Sequence, residues 1–339
     1  MPRRLKLATL AASALATALV LAGCSGSTGG TGDADATASA GAGEPVTIEH
    51  AFGETTVPAD PQNVVTLGWG STDAAIALGT IPVAIPFDSY AGDENGVLPW
   101  VADAIDKAGA ELPTVLPESP DEPPYEAIAD ADPDVILAVY SGITEEQYET
   151  LSQIAPTVAY PGEAWSTPWR DVVTTVGKAL GKSDEATAVL ADIDDQLAEQ
   201  AAAHPEFDGK SIAAVWDVAG TFYVYKKADP RVEFMLDLGF VNAPSVDALA
   251  NGDSTFYYTL SYEQLDQLDA DVVLSYSDTQ AEADAFLTAP QTSVIPAVQA
   301  GHVAQLVGTD YIAAVSPPTA LSLPWGLDQL VDALAAATK

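Results

Sequence analysis

Carboxylates are the most abundant reactive groups in this chain, and they come almost unaccompanied. Its 339 residues carry 49 Asp and Glu against 12 Lys and Arg, with three His and a single Cys. Hydrolysis by paired carboxyls needs two acids at a fixed separation across one bond. Among so many acids a pair can be found anywhere, so abundance assigns nothing. A catalytic nucleophile needs a base beside it, yet the sequence has no GxSxG, no HExxH and no cysteine besides Cys24. His50, His204 and His302 lie far apart without ligand spacing, which argues against an imidazole-built zinc or manganese site. Each reads as a surface or loop residue. The expectation is a protein that is not an enzyme and holds no cofactor or metal of its own.

Positive charge is sparse enough to make each basic residue informative. Arg231 follows Lys226, Lys227 and Pro230 after an apolar run. A guanidinium grips anionic oxygens bidentately and stays charged, so Arg231 is the first ligand-binding candidate. An ion pair with Asp229 or Glu233 is the competing use of the same group. Arg170 is a second candidate, with Asp171 as its alternative partner.

Those groups need elements to hold them. Short apolar runs bounded by Gly, Pro or Asp recur at Val64–Leu67, Pro82–Ile85, Val135–Val139 and Thr157–Ala159. They return at Ser211–Val218, Phe222–Tyr225, Val272–Tyr276 and Val303–Val307. Helical patterns alternate with them, as from Ser71 to Leu78, closed by Gly79. Strands apolar on both faces between helices predict parallel sheets covered on each side. The fold class is therefore α/β, with two Rossmann-like lobes joined by a long α-helix. Between the lobes, Trp169, Val172, Val173, Val176 and Leu180 fall at helical spacing and Gly181 interrupts. Ser183 then serves as an N-cap for a helix striped by Ala186, Val189, Leu190, Ile193 and Leu197. The predicted boundaries are a first lobe over 45–167, a helical linker over 168–206, and a second lobe over 207–339 closed by a C-terminal helix. A helical linker predicts modest closure rather than a wide hinge swing.

In open α/β sheets, ligands bind beyond the carboxyl ends of the strands. That rule places Trp69, Phe87, Tyr90 and Trp165 of the first lobe, and Trp216, Tyr258 and Tyr311 of the second, at a shared cleft. Rigid aromatic walls suit a small-molecule pocket. Core or lobe-closing packing is the alternative use of each ring.

An internal repeat ties the lobes together. Tyr125-Glu126 through Asp132, Asp134 and Val135 aligns without a gap on Tyr262-Glu263 through Asp269, Asp271 and Val272. Each copy predicts a short helix feeding a buried strand, with a Glu in the first turn. Such an acid complements the helix dipole. Its recurrence in both halves puts one carboxylate on equivalent surfaces of two like lobes.

The chain's beginning has its own logic. Arg3, Arg4 and Lys6 precede an apolar run from Leu7 to Leu21, and small residues lead to Cys24, the pattern of an exported protein's signal over 1–23. Leu-Ala-Gly-Cys resembles the lipobox of bacterial lipoproteins, which implies lipidation at Cys24 and anchoring to the outer face of the cytoplasmic membrane. Residues 24–44 are small and polar, a composition that predicts a flexible tether. With the three leading bases removed, the formal charge moves from −37 to −40. That acidity argues against nucleic acid, which needs a basic footprint.

Several segments together resemble the iron-siderophore and cobalamin solute-binding family of ABC importers. They are PQNVVTLGWGSTDAAIALG, the two repeat copies YEAIADADPDVIL and YEQLDQLDADVVL, DPRVEFMLDLGF, IPAVQAGHV and SPPTALSLPWGLDQLV, in order from Val46 to Ala336. The resemblance implies a monomer that captures a ferric-siderophore between two lobes and delivers it to a permease and its ATPase. It implies that Glu126 and Glu263 dock on permease arginines, and that Arg231 faces the ligand's oxygens. Within the same family, cobalamin or haem is the alternative ligand. An envelope hydrolase is the alternative from another class.

Overall fold

The computed structural model describes residues 44–119, 121–252 and 254–339. The signal over 1–23, Cys24 and the tether before Glu44 lie outside the described residues. The described chain opens with an antiparallel hairpin, β1 (Val46–His50) and β2 (Gly53–Val57). A parallel sheet follows, built from β3 (Val64–Thr66), β4 (Ala84–Ile85), β5 (Thr114–Val115), β6 (Val135–Leu137) and β7 (Thr157–Val158) in the order β5-β4-β3-β6-β7. Every residue of β3 and β6 is buried, as a sheet covered on both faces requires.

The second sheet holds β8 (Ser211–Val218), β9 (Thr221–Tyr225), β10 (Val241–Asn242), β11 (Tyr257–Leu260), β12 (Val272–Ser277) and β13 (Val303–Val307). It is mixed, which corrects the expectation of two parallel sheets. β12 runs parallel to both β8 and β13, but β9 runs antiparallel to β8 and β11. The reversal comes from a two-residue turn. Val218 pairs with Thr221, and the central Ala219 and Gly220 take positive φ of 51° and 77°. Two left-handed residues match the twist of hairpin strands. Ala-Gly lacks the Asn-Gly signature of such turns, so the hairpin was invisible in the sequence.

The repeat has a structural purpose beyond its two glutamates. Asp134 Oδ2 accepts from the backbone N–H groups of Gln62 and Asn63 at 2.8 and 2.9 Å, immediately before β3. The corresponding Asp271 accepts from the N–H and hydroxyl of Ser211, both at 2.8 Å, at the start of β8. Each copy thus pins the first residues of the strand beside its own. The Ser211 hydrogen bonds hold the Asp271 carboxyl below its usual range.

Between the sheets, the Trp169–Ala179 helix stays with the first lobe, packed on the Ser71–Ala77 helix and β1. The spanning element is the 21-residue helix Ser183–Ala203, about 30 Å long at the helical rise. Lys182 occupies its cap position without a capping side chain, so Ser183 is the first helical residue and not the N-cap. The Lys182 ammonium instead donates to the Leu78 carbonyl at 2.8 Å. His50 departs from the surface reading as well: it is buried and bonded to the Thr55 hydroxyl at 2.9 Å, and burial lowers its pKa.

One apolar core runs through both lobes, from Val64 and Val135 through Leu197 to Leu274 and Leu334. Where the C-terminal segment returns to the first lobe, Trp69 Nε1 donates to the Pro317 carbonyl at 2.9 Å, and Trp325 stacks on Tyr311 and meets Trp100 at a tilt. At the centre of this junction lies Asp73, 2% exposed, which accepts from Trp100 Nε1 at 2.7 Å and from the Thr319 hydroxyl. Burial lifts its carboxyl to about 6, while the bonds from Thr319 and Trp100 oppose the rise.

A native pKa raised above the unfolded value means the folded state binds an extra proton between about pH 4 and about pH 6. The stabilisation from Asp73 is therefore full below about pH 4 and lost as pH rises through about 6. Asp73→Asn removes this titration. The stability difference between wild type and Asp73→Asn, read by urea denaturation, should move in favour of wild type by about 2 kcal/mol from pH 7 down to pH 4. A difference independent of pH would refute this assignment.

Candidate functional site

Loops after β6 and β7 of the first sheet, with the segment after β9 and the start of β11 in the second, enclose a cavity of about 110 Å³. Tyr140, Trp165 and Thr167 line it from the first lobe, and Arg231, Tyr257 and Pro317 from the second. Arg231 owes its position to the start of the Pro230–Asp237 helix. Pro230 opens that helix with a pre-set φ, and Asp229 caps it by accepting from the Arg231 backbone N–H at 2.8 Å. The same carboxylate oxygen takes the Arg231 Nε at 2.8 Å, and the guanidinium carbon lies 4.2 Å from the centre of the Tyr225 ring. Asp229 is fully buried, whereas the Arg231 side chain remains 21% exposed. Burial raises the Asp229 carboxyl and the guanidinium opposes that rise. Burial likewise pushes Tyr225 up to about 12, again against the pull of Arg231.

Trp165 forms the opposite wall. It is 54% exposed and adopts φ of 58°, a left-handed conformation that a bulky side chain avoids. Such strain costs about 1–3 kcal/mol and collects at ligand clamps. Its backbone N–H donates to the Ser141 carbonyl at 3.0 Å, and its indole lies against Gly142, where an added Cβ would come within 2.1 Å of Nε1. Tyr140 meets the ring edge-on at 5.7 Å. Beyond Trp165 lies a second cavity of about 370 Å³, lined by Phe87, Gln147, Glu118, Asp121 and Glu122. Trp165 is the partition between the two spaces.

Of the residues proposed from sequence, Arg231 and Trp165 meet in the first cavity, and Phe87 and Trp165 in the second. Tyr90 lines neither cavity and crosses between lobes, its hydroxyl donating to Asp278 at 2.7 Å. Burial, followed by that bond, raises its pKa. Trp69 packs on the C-terminal segment through its bond to Pro317 and an edge contact with Trp100. Trp216 meets Tyr276 edge-on, and Tyr311 stacks on Trp325 at 5.0 Å. Arg170 is taken by Asp194 and Asp237 at 2.7 and 3.2 Å. Glu126 and Glu263 are both exposed in the first turns of their short helices, the first α and the second 3-10.

Tyr258 is the placement to correct. It is 2% exposed, inside the apolar cluster of the second lobe with Leu260 and Phe222. Along β11 exposed and buried residues alternate, so Tyr257 and not Tyr258 reaches the cavity. The sequence contained the clue: Leu260 shares the parity of Tyr258, and its burial fixes which face Tyr257 presents. Tyr140 and Phe256, which the sequence places in loops beside the strands, also line the cavity. Among the described residues, no group of three or more His, Cys, Asp or Glu is placed to hold a metal ion. The arrangement suits the grip of a solute by aromatic faces, hydroxyls and one guanidinium.

Comparison with known proteins converges on one group. A family profile described as periplasmic binding protein matches residues 64–308. The chain is 30% identical over 236 residues to a probable siderophore-binding lipoprotein, YfiY, of Bacillus subtilis, covering 68% of each. It is 28% identical over 300 residues, 88% of each chain, to the Fe(3+)-citrate-binding protein YfmC of the same organism. Among solved structures, Streptococcus pneumoniae PiaA in complex with ferrichrome aligns with a TM-score of 0.75 and 33% identity, over 86% of this chain and 98% of that one. A periplasmic solute binding protein of Mycobacterium smegmatis aligns at 0.73 and 30% identity, over 87% and 99%.

The cavity geometry makes Arg231 structural as well as exposed. Arg231→Ala leaves the buried Asp229 without its counter-charge and should destabilise the protein by about 3–5 kcal/mol in urea denaturation. Arg231→Ala combined with Asp229→Ala should recover much of that loss. A double variant as unstable as the sum of the singles would show that the two groups do not act as a pair.

Proposed function

Since the chain belongs to the periplasmic binding protein family, we propose that it is the extracytoplasmic solute-binding subunit of an ABC importer and that it captures a ferric siderophore between its lobes. The observation that carries this reading is the aromatic cavity shared by the two lobes, with Arg231 on one side and Trp165 on the other. The relatives named for siderophore binding and for a ferrichrome complex support the same ligand class. A hexadentate siderophore fills the iron's octahedral shell by itself, so the protein's part is recognition of shape, aromatic surface and charge. The absorption spectrum of the bound complex should accordingly match that of the free one.

Delivery requires a permease and its ATPase. Glu126 and Glu263 are proposed as the docking carboxylates, one per lobe, because each is exposed at equivalent positions of the repeat. Two separated charges set orientation and register and steer encounter more than they add affinity. Lipidation at Cys24 would hold a monomer near its transporter and raise its effective concentration there.

Tryptophan fluorescence should change on adding the right ferric siderophore at sub-micromolar concentration. A panel of catecholate, hydroxamate and carboxylate complexes that leaves emission untouched would sink the ligand assignment. Glu126→Arg with Glu263→Arg should abolish uptake in cells while leaving ligand affinity within about two-fold of wild type. Loss of affinity in that variant would argue against docking as their role.

A further inference from the structure

We infer that the cleft selects electrically neutral ferric complexes over anionic ones, because the one cationic side chain lining it is already neutralised by Asp229. This rests on the ferric-siderophore reading and specifies the charge class of the ligand.

Arg231 is the single Lys or Arg among the residues that line the two cavities meeting at Trp165. Its partner Asp229 is buried and holds both the Arg231 Nε and backbone N–H through one oxygen. An incoming anion cannot displace that carboxylate without stranding a buried charge. The pair therefore meets a ligand as a set of directed N–H donors with little net charge, a match for carbonyl and hydroxamate oxygens.

The nearby lysines do not restore a positive field. The Lys226 ammonium is turned to the Ser254 carbonyl at 2.6 Å and lies 6.0 Å from the ring centre of buried Tyr258. Lys227 is exposed outside the lining. Acids, by contrast, line the adjoining space. Glu118, Asp121 and Glu122 line the cavity behind Trp165, and Asp278 accepts from Tyr90, with Tyr225 and Glu282 close enough to act on that tyrosine. A concave site with low-dielectric walls focuses such a field, and salt screens it only over distances beyond about a Debye length. Three hydroxamates balance iron(III) to neutrality, whereas three catecholates leave the complex strongly anionic. The first fits aromatic walls and an offset guanidinium; the second meets uncompensated carboxylates.

The test uses the whole protein, a neutral iron(III) tris-hydroxamate and an anionic iron(III) tris-catecholate, with affinities from tryptophan fluorescence at low and high KCl. The neutral complex should bind at least about ten-fold tighter, with little salt dependence, while affinity for the anionic complex should rise with salt as repulsion is screened. Tighter binding of the anionic complex, weakening as salt rises, overturns the inference while leaving the siderophore reading intact. Binding of neither complex, nor of any other ferric siderophore, overturns both. Asp229→Asn frees the guanidinium and should shift the preference toward the anionic complex by about ten-fold; an unchanged ratio in the folded variant removes Asp229 from the account. The salt response of the wild type decides the matter even where that variant does not fold.

Discussion

The relative placement of the two sheets depends on a buried carboxylate. Asp73, in the first helix of the first lobe, ties the Trp100 indole to the hydroxyl of Thr319 in the returning C-terminal segment. Two residues before Thr319, the Pro317 carbonyl accepts from the Trp69 indole N–H, and Pro317 lines the cavity. The floor of the cleft is thus fixed by interior bonds, and an ionised group in that interior is costly unless fully paired. The raised pKa of Asp73 is the visible trace of that cost. Tyr90 and Asp278 make a further contact between the lobes, and Tyr90 is 43% exposed. A hydrogen bond open to water contributes little net free energy, so this contact adds less to the junction than the buried bonds of Asp73.

A second buried carboxylate organises the binding wall. Asp229 caps a helix, orients Arg231 and neutralises it in one arrangement, and Tyr225 supports the guanidinium from its face. A side chain held by both a carboxylate and a ring loses little freedom when a ligand arrives, which is the advantage of preorganisation. Trp165 is held differently, by a left-handed backbone seated on Gly142. The two walls are therefore rigid for unrelated reasons, one electrostatic and one steric.

Much of the frame was legible in the residues. The limits of β8 and β13 coincide with the apolar runs Ser211–Val218 and Val303–Val307. The strand expected over Val135–Val139 ends at Leu137, because the Ala138 and Val139 carbonyls accept from the Ser141 and Thr167 hydroxyls instead of continuing the ladder. Those diverted bonds start the loops that carry Tyr140 and Trp165. Hydropathy reads burial, and both residues remain buried, so it could not see where the ladder stops.

Composition, the repeat and the spacing of apolar runs determined an α/β protein with two like halves, paired surface glutamates and a scarce arginine near a strand exit. These are properties of local pattern, because burial periodicity and turn residues act over a few positions. Tertiary structure alone decided which aromatics face the cleft: strand parity turned Tyr258 inward and Tyr257 outward. It alone made the second sheet mixed, through a turn of Ala219 and Gly220 that carries no strong signature. It also settled the competition for Arg231, since the sequence offered both Asp229 and Glu233 as partners and the helix start brought Asp229 to 2.8 Å. Whether a charge is free or already paired depends on distances of a few ångströms, and those are set only when the chain has folded.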